Sequence, residues 1–366
     1  MGLLRFLLAI VVVLFHNGTT YRGLMDAHTA VKGFFIISGF YMALILDQKY
    51  GRSAAGIRAF AINRFLRLYP LYAVVLALTI GWYVVRLALL GDRTPRQAIF
   101  SMSEVLAGWQ VWTIWLGNVS LLGLDFICAW DWVPGKGFAF LQGTANPPIE
   151  GAVPLGATVW VIQAWSISME ILFYLCAPFL ARRKTLVLVL VIVASLGLDL
   201  WLSLGLHRTT YFFAPAQLYL FATGMLLHRV YKRLRIAERI SKKRAVGVVI
   251  LSGALAITWI VPLVRPEIPP LLPLLGIALA IPVLFALSKD SAWDRGVGNL
   301  SYPLYLCHML VGQVLAVGFK RVSIDPTIAV VVVPVACVLT AMILHRIIEE
   351  PIEGIRSDIS KRLAVA

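Results

Sequence analysis

Charge is scarce in this sequence. Only 14% of its 366 residues are Asp, Glu, Lys or Arg, against roughly a quarter in an ordinary soluble domain. Hydrophobic residues make up 60%, and a chain so composed cannot cover itself with polar surface. Cysteine is scarce too. The four present, Cys128, Cys176, Cys307 and Cys337, show no CxxC or other metal spacing, and three fall in apolar segments, so they read as packing residues with no metal implied. Also lacking are repeats, heptads, low-complexity tracts and any hydrophilic domain. A single membrane domain over 1–366, with no appended soluble domain, is expected.

What the chain does have is long apolar runs. A hydrocarbon core of about 30 Å needs about 18 or more consecutive apolar residues in a helix. Such runs recur at 3–21, 30–46, 68–90, 159–181, 185–203, 212–228, 245–263, 270–288, 300–319 and 327–347. A further stretch, 99–128, is Trp-rich but carries Glu104, Gln110, Asn118 and Asp125. The expected fold is all-α, a polytopic transmembrane helical bundle of about ten spans plus one re-entrant or interfacial segment. The longest polar break, 129–158, reads as a Gly/Pro-rich loop on the outer face.

Lys and Arg accumulate in cytoplasmic loops. Ten spans with both termini inside put Arg5, the 47–67 loop, Arg182-Arg183-Lys184, the eight basic residues of 229–244 and the C-terminal tail on that side, most of the 33 basic residues. One crossing by 99–128 would move the run ending Lys242-Lys243-Arg244 outside, so that stretch is read as re-entrant, interfacial or doubly crossing. The net charge of +15 is then a topology signal plus attraction to anionic lipid headgroups, not a sign of nucleic acid. Arg5 before an apolar run resembles a signal peptide, but His16 and Asn17 follow the apolar core where a small-residue cleavage site would stand. The N-terminus is therefore read as the first span of a bacterial inner-membrane protein.

Ionisable groups inside spans are costly and are functional candidates by default. Arg5 and His16 are 11 residues apart, about 16 Å of rise and three turns plus about 20°, so they share one helix face. Spacing alone accounts equally well for a snorkelling Arg5 and a His16 that merely ends the helix. Arg64 and Arg67, three apart, suit phosphate as planar multi-donor cations, and equally suit positive-inside anchoring. Glu170 sits several residues into an apolar helix. Ser301 and His308 are seven apart on one face, with Tyr302 and Tyr305 adding hydroxyls, a pattern also common in interhelical packing.

Read in order, these segments resemble acyltransferase family 3, the integral membrane O-acyltransferases. The resemblance runs through Arg5 and His16, Phe34-Phe-Ile-Ile-Ser-Gly-Phe40, Arg64-x-x-Arg67 with Leu68-Tyr-Pro70, and Trp165-Ser166 with Glu170, Phe173-Tyr174 and Pro178. It continues through Gly224, Ser301-Tyr-Pro-Leu-Tyr-Leu-x-His308 and Glu350-Pro351. One departure is Lys32, where the family often has an acidic residue, so no role of that carboxylate carries over. The resemblance implies transfer of an acyl group, usually acetyl from cytoplasmic acetyl-CoA, to a hydroxyl of a carbohydrate or glycolipid acceptor at the outer face. It casts His16 as general base, Arg5 as a group holding the donor, and Glu170 as an orienting carboxylate. Arg64 and Arg67 would take the CoA phosphates, and Ser38, Tyr302 and His308 would line the donor cavity. Direct transfer and an acyl-histidine relay both fit.

Two rival classes stand beside this reading. A transporter or flippase of a lipid-linked or acylated substrate also places polar residues in spans, often in broken helices of repeated halves, and no internal repeat is present. A non-catalytic scaffold would leave Arg5, His16 and Glu170 as unexplained costs. The chain ends at Ala366, about 15 residues past Pro351, so transfer is expected to finish in the membrane domain or in a separate partner.

Overall fold

The computed structural model describes residues 1–17, 25–50, 53–91, 106, 108–133, 135–140, 152–260, 271–322 and 326–365. About 85% of the described residues are helical. In order, the helices are α1 (Gly2–His16), α2 (Ala27–Ile45), α3 (Ala54–Leu90), α4 (Gly108–Ser120), α5 (Leu124–Cys128), α6 (Ala164–Arg182), α7 (Thr185–Leu200), α8 (Ala214–Arg233), α9 (Ile236–Lys242), α10 (Arg244–Leu255), α11 (Leu271–Ser288), α12 (Ala292–Asn299), α13 (Ser301–Val322), α14 (Pro326–Leu344) and α15 (Glu350–Val365). Among the described residues seven helical segments are long and apolar enough to cross a bilayer, or eight if the bent pair α9 and α10 counts as one. Pro70, Pro178, Pro282 and Pro334 lie inside helices, as membrane helices tolerate. The all-α membrane class follows.

The first helix differs from its expected bounds. The apolar run predicts a span over 3–21, but α1 stops at His16, with Asn17 as its C-cap. The sequence Asn17-Gly-Thr-Thr offers no large apolar side chain to bury, and the helix is 15 residues long. Residues 18–24 lie outside the described residues.

Two compact units make up the chain. The first comprises Met1–Asn63, Ala177–Val189 and Leu220–Ala366. In it α1 packs against α2, α12, α13 and α14. Asp294 accepts from the backbone N–H groups of Gly2 (2.7 Å) and Leu3 (2.9 Å), which as first-turn donors have no partner within the helix. Asp26 caps α2, accepting from the Thr29 backbone N–H (2.9 Å) and hydroxyl (2.6 Å). The helices α2 and α8 approach until their backbones touch. A methyl group built on Gly39 would stand 2.0 Å from the Phe221 carbonyl oxygen, and one on Gly224 2.0 Å from that of Ile36. Only glycine permits that approach, the small-residue packing usual between membrane helices.

The second unit comprises Arg64–Cys176 and Leu190–Tyr219. Between Gly108 and Cys128 the chain forms two short helices, broken where Leu121 and Gly123 take positive φ. Glu104 lies outside the described residues, whereas Asn118 and Asp125 are accounted for by packing. Asn118, 1% exposed, donates to the carbonyls of Ile114 (3.0 Å) and Thr158 (3.2 Å) and accepts from the Trp160 N–H (2.8 Å). Its own carbonyl takes the Tyr72 hydroxyl. Asp125 accepts from Ser168 (2.8 Å), whose oxygen in turn accepts from the Leu124 N–H. The polar break read as a loop contains a small antiparallel sheet, ordered β2-β1-β3, of β1 (Trp130–Val133), β2 (Gly137–Phe140) and β3 (Val153–Pro154).

Candidate active site

His16 closes α1, and its ring geometry defines which nitrogen can act. Nδ1 lies 2.9 Å from the Val12 carbonyl oxygen. A carbonyl only accepts, so Nδ1 carries the hydrogen and the lone pair of the neutral ring is on Nε2. The residue is exposed, and the helix end is tied down by the Asn17 amide donating to the Ala329 carbonyl at 3.2 Å. Phe15 presents its edge to His16 at 5.4 Å and to His28 at 6.0 Å. A fixed tautomer, an accessible Nε2 and a clamped backbone are what a general base requires.

His308, one of the donor-cavity candidates, stands beside it. The two imidazole centroids are 5.2 Å apart. His308 is 3% exposed, so it can act only through its neighbours. Its Nδ1 donates to the Tyr305 carbonyl one helical turn back, at 2.7 Å, again leaving the lone pair on Nε2. That nitrogen is buried without a hydrogen-bond partner among the described residues. A buried acceptor left unmet costs about 1–3 kcal/mol, and such a group in a native structure asks for an explanation. Tyr305 bridges to α2 by packing against Phe34 at 6.1 Å.

The other candidates of this unit divide. Ser38 on α2 and Tyr302 on α13 are both buried. Ser301 is spent locally, its hydroxyl donating to the Gly298 carbonyl at 2.6 Å. Arg5, half-buried, shares α1 with His16, as the spacing predicts.

Glu170, Arg64 and Arg67 belong to the second unit. Glu170 accepts from the Tyr174 hydroxyl at 2.6 Å, and the Arg64 guanidinium lies over the Tyr174 ring at 5.9 Å. Arg64 and Glu170 thus both engage the Tyr174 side chain. The i, i+4 spacing of Glu170 and Tyr174 is visible in the sequence; the approach of Arg64 from another helix is not. Arg67 is half-buried. His28, whose ring lies 6.0 Å from that of Phe15, carries no signal in the sequence.

Apolar helices of bilayer length, with a shorter apolar helix that ends in a histidine of defined tautomer, define a helical integral membrane protein with a polar site. The family model for the acyltransferase domain known as acyltransferase family 3 matches residues 1–346. The chain belongs to that family and is a membrane acyltransferase. No curated protein and no solved structure matches it.

Proposed function

We propose that this protein transfers an acyl group, acetyl in the simplest case, from cytoplasmic acetyl-CoA to a hydroxyl of an extracytoplasmic carbohydrate or glycolipid acceptor. It does so in a bacterial inner membrane, with both termini cytoplasmic. The observation that carries this reading is the His16 ring. Its Nδ1–H is committed to the Val12 carbonyl, so on this exposed residue Nε2 is the nitrogen left to take a proton.

A sugar hydroxyl is a poor nucleophile near neutrality, and a positioned base supplies about 10²–10⁴-fold. In the proposed step His16 Nε2 accepts the hydroxyl proton as the oxygen bonds to the thioester carbonyl carbon. The tetrahedral species collapses by breaking the carbon–sulfur bond, and the imidazolium returns the proton to the leaving CoA thiolate. Atoms and charge balance without a metal or redox partner. Arg5 holds the donor along the same helix. Ser38 and Tyr302 supply hydrogen bonds to it, and His308 positions the His16 ring. Arg64 and Arg67 take a phosphate of CoA, and Glu170 holds Arg64 through Tyr174.

The test is acyl transfer from acetyl-CoA to envelope glycans by purified protein. His16→Ala should lower the rate by about 10²–10⁴-fold with the thermal midpoint retained, since the side chain is exposed. Undiminished transfer would overturn the reading. Mass spectrometry of envelope glycans from cells with and without the gene identifies acyl group and acceptor together.

A further inference from the structure

The first unit contains a cavity of about 500 Å³ whose lining includes none of the candidate catalytic or donor-binding residues. Four cationic side chains, Arg182, Arg229, Lys232 and Arg233, line it against the single carboxylate of Asp47, with His228 in its wall. Lys232 takes that carboxylate, its Nζ lying 3.0 and 2.8 Å from the two oxygens. Beside that pair, three arginines line the cavity.

Arg229 is held in place without a ligand. Its NH2 group donates to the carbonyls of Leu180 (3.3 Å), Ala181 (3.3 Å) and Arg183 (2.7 Å), and NH1 donates to the Thr185 hydroxyl (3.1 Å). The last carbonyls of α6 have no partner inside the helix, so this guanidinium caps the helix and keeps a fixed charge in the cavity wall. His228, 5% exposed, is braced edge-on against Phe40 at 5.7 Å. Arg182 and Arg233 are exposed at the rim, where they can fold over a bound anion. Positive-inside topology requires arginines in the loops, but it does not require them to converge on one cavity built around a helix-capping guanidinium.

We propose that this cavity binds a phosphate-bearing anion from the cytoplasmic side. Guanidinium forks match phosphate oxygens in geometry and charge, and the volume lies in the range of small-molecule sites, roughly 300–1,000 Å³. Two sources carry that chemistry: the adenosine 3′,5′-bisphosphate moiety of CoA and the headgroup of an anionic phospholipid. The first rests on the acyl-CoA reading above.

The experiment uses the purified full chain. Adenosine 3′,5′-bisphosphate is titrated calorimetrically in neutral detergent, and retention of phosphatidylglycerol over phosphatidylcholine is measured by native mass spectrometry. The pocket variant is Arg182→Gln with Arg233→Gln. The control, Arg183→Gln with Lys184→Gln, removes the same charge just outside the lining. Removing one charge-assisted hydrogen bond to the anion should weaken binding by about tenfold, so the pocket variant loses bisphosphate affinity by about 100-fold and the control loses little. Bisphosphate binding abolished in the pocket variant assigns the coenzyme, and phosphatidylglycerol retention abolished there assigns the lipid. Either supports the site. Wild-type protein that binds neither probe overturns it, as does a control that loses as much as the pocket variant or a pocket variant that loses nothing. Acyl transfer is measured on the same preparations. Transfer with both bisphosphate affinity and phosphatidylglycerol retention indifferent to Arg182 and Arg233 removes this inference alone, whereas either probe bound through Arg182 and Arg233 without transfer removes the proposed function alone.

Discussion

The crossing of α2 and α8 can be tested by one added carbon. A methyl at Gly39 would stand 2.0 Å from the Phe221 carbonyl oxygen, and ordinary contact begins at 3.4 Å, so the helices must part by about 1.4 Å. Both nearest atoms are backbone, and no side-chain rotation relieves the clash. A gap of about 0.5–1 Å already forfeits a quarter to a half of the dispersion attraction of the groups it separates. Together with the strain of overpacking, Gly39→Ala should cost about 3 kcal/mol, and Gly224→Ala, whose methyl meets the Ile36 oxygen at 2.0 Å and the Phe40 nitrogen at 2.7 Å, a similar amount. Once the first methyl has separated the helices the second finds room. The double variant should therefore cost less than the sum by about 1–2 kcal/mol. Thermal denaturation in a fixed detergent, followed by tryptophan fluorescence, reads all four members of the cycle. Strictly additive losses, or a Gly39→Ala protein as stable as the parent, would refute the close crossing.

His308→Phe keeps the ring beside His16 while deleting a buried nitrogen that lacks a partner among the described residues; stability should hold within about 1 kcal/mol, while kcat for acyl transfer falls about tenfold with KM for the donor little changed, as steady-state kinetics will show. Asn118→Ala removes three hydrogen bonds from a site 1% exposed and should cost about 3 kcal/mol, measured by denaturation; a loss below about 1 kcal/mol contradicts the structural role given to it. Burial pushes the Asp26 carboxyl up, but hydrogen bonds from His28 and Thr29 outweigh it and hold the group well below the usual carboxylate range. A depressed folded value means that Asp26 adds stability in full above its unfolded value of about 3.9 and loses it as pH falls further; acid titration of the thermal midpoint should show a decline below about pH 4 that is diminished in Asp26→Asn.

The sequence by itself determined the class of protein. Bilayer thickness demands long apolar runs, and these are legible one residue at a time, as is the helical spacing that puts Arg5 and His16 on one helix. The ordered motifs from Arg5 to Glu350 determined the family. Hydropathy ran the first span on to residue 21, whereas α1 ends at His16. Polar residues of the 99–128 stretch spoke only to the path of the segment, and Asn118 and Asp125 are packing groups whose partners, Trp160 and Ser168, lie about 40 residues away in sequence. Only tertiary structure set His308 against His16, laid Arg64 over the Tyr174 that serves Glu170, and turned Arg182, Arg229 and Arg233 from a topology signal into the wall of one cavity. Composition and periodicity act along a single helix, whereas a site is made where side chains from several helices meet, and that meeting is decided by residues such as Gly39 and Gly224 that carry no chemistry of their own.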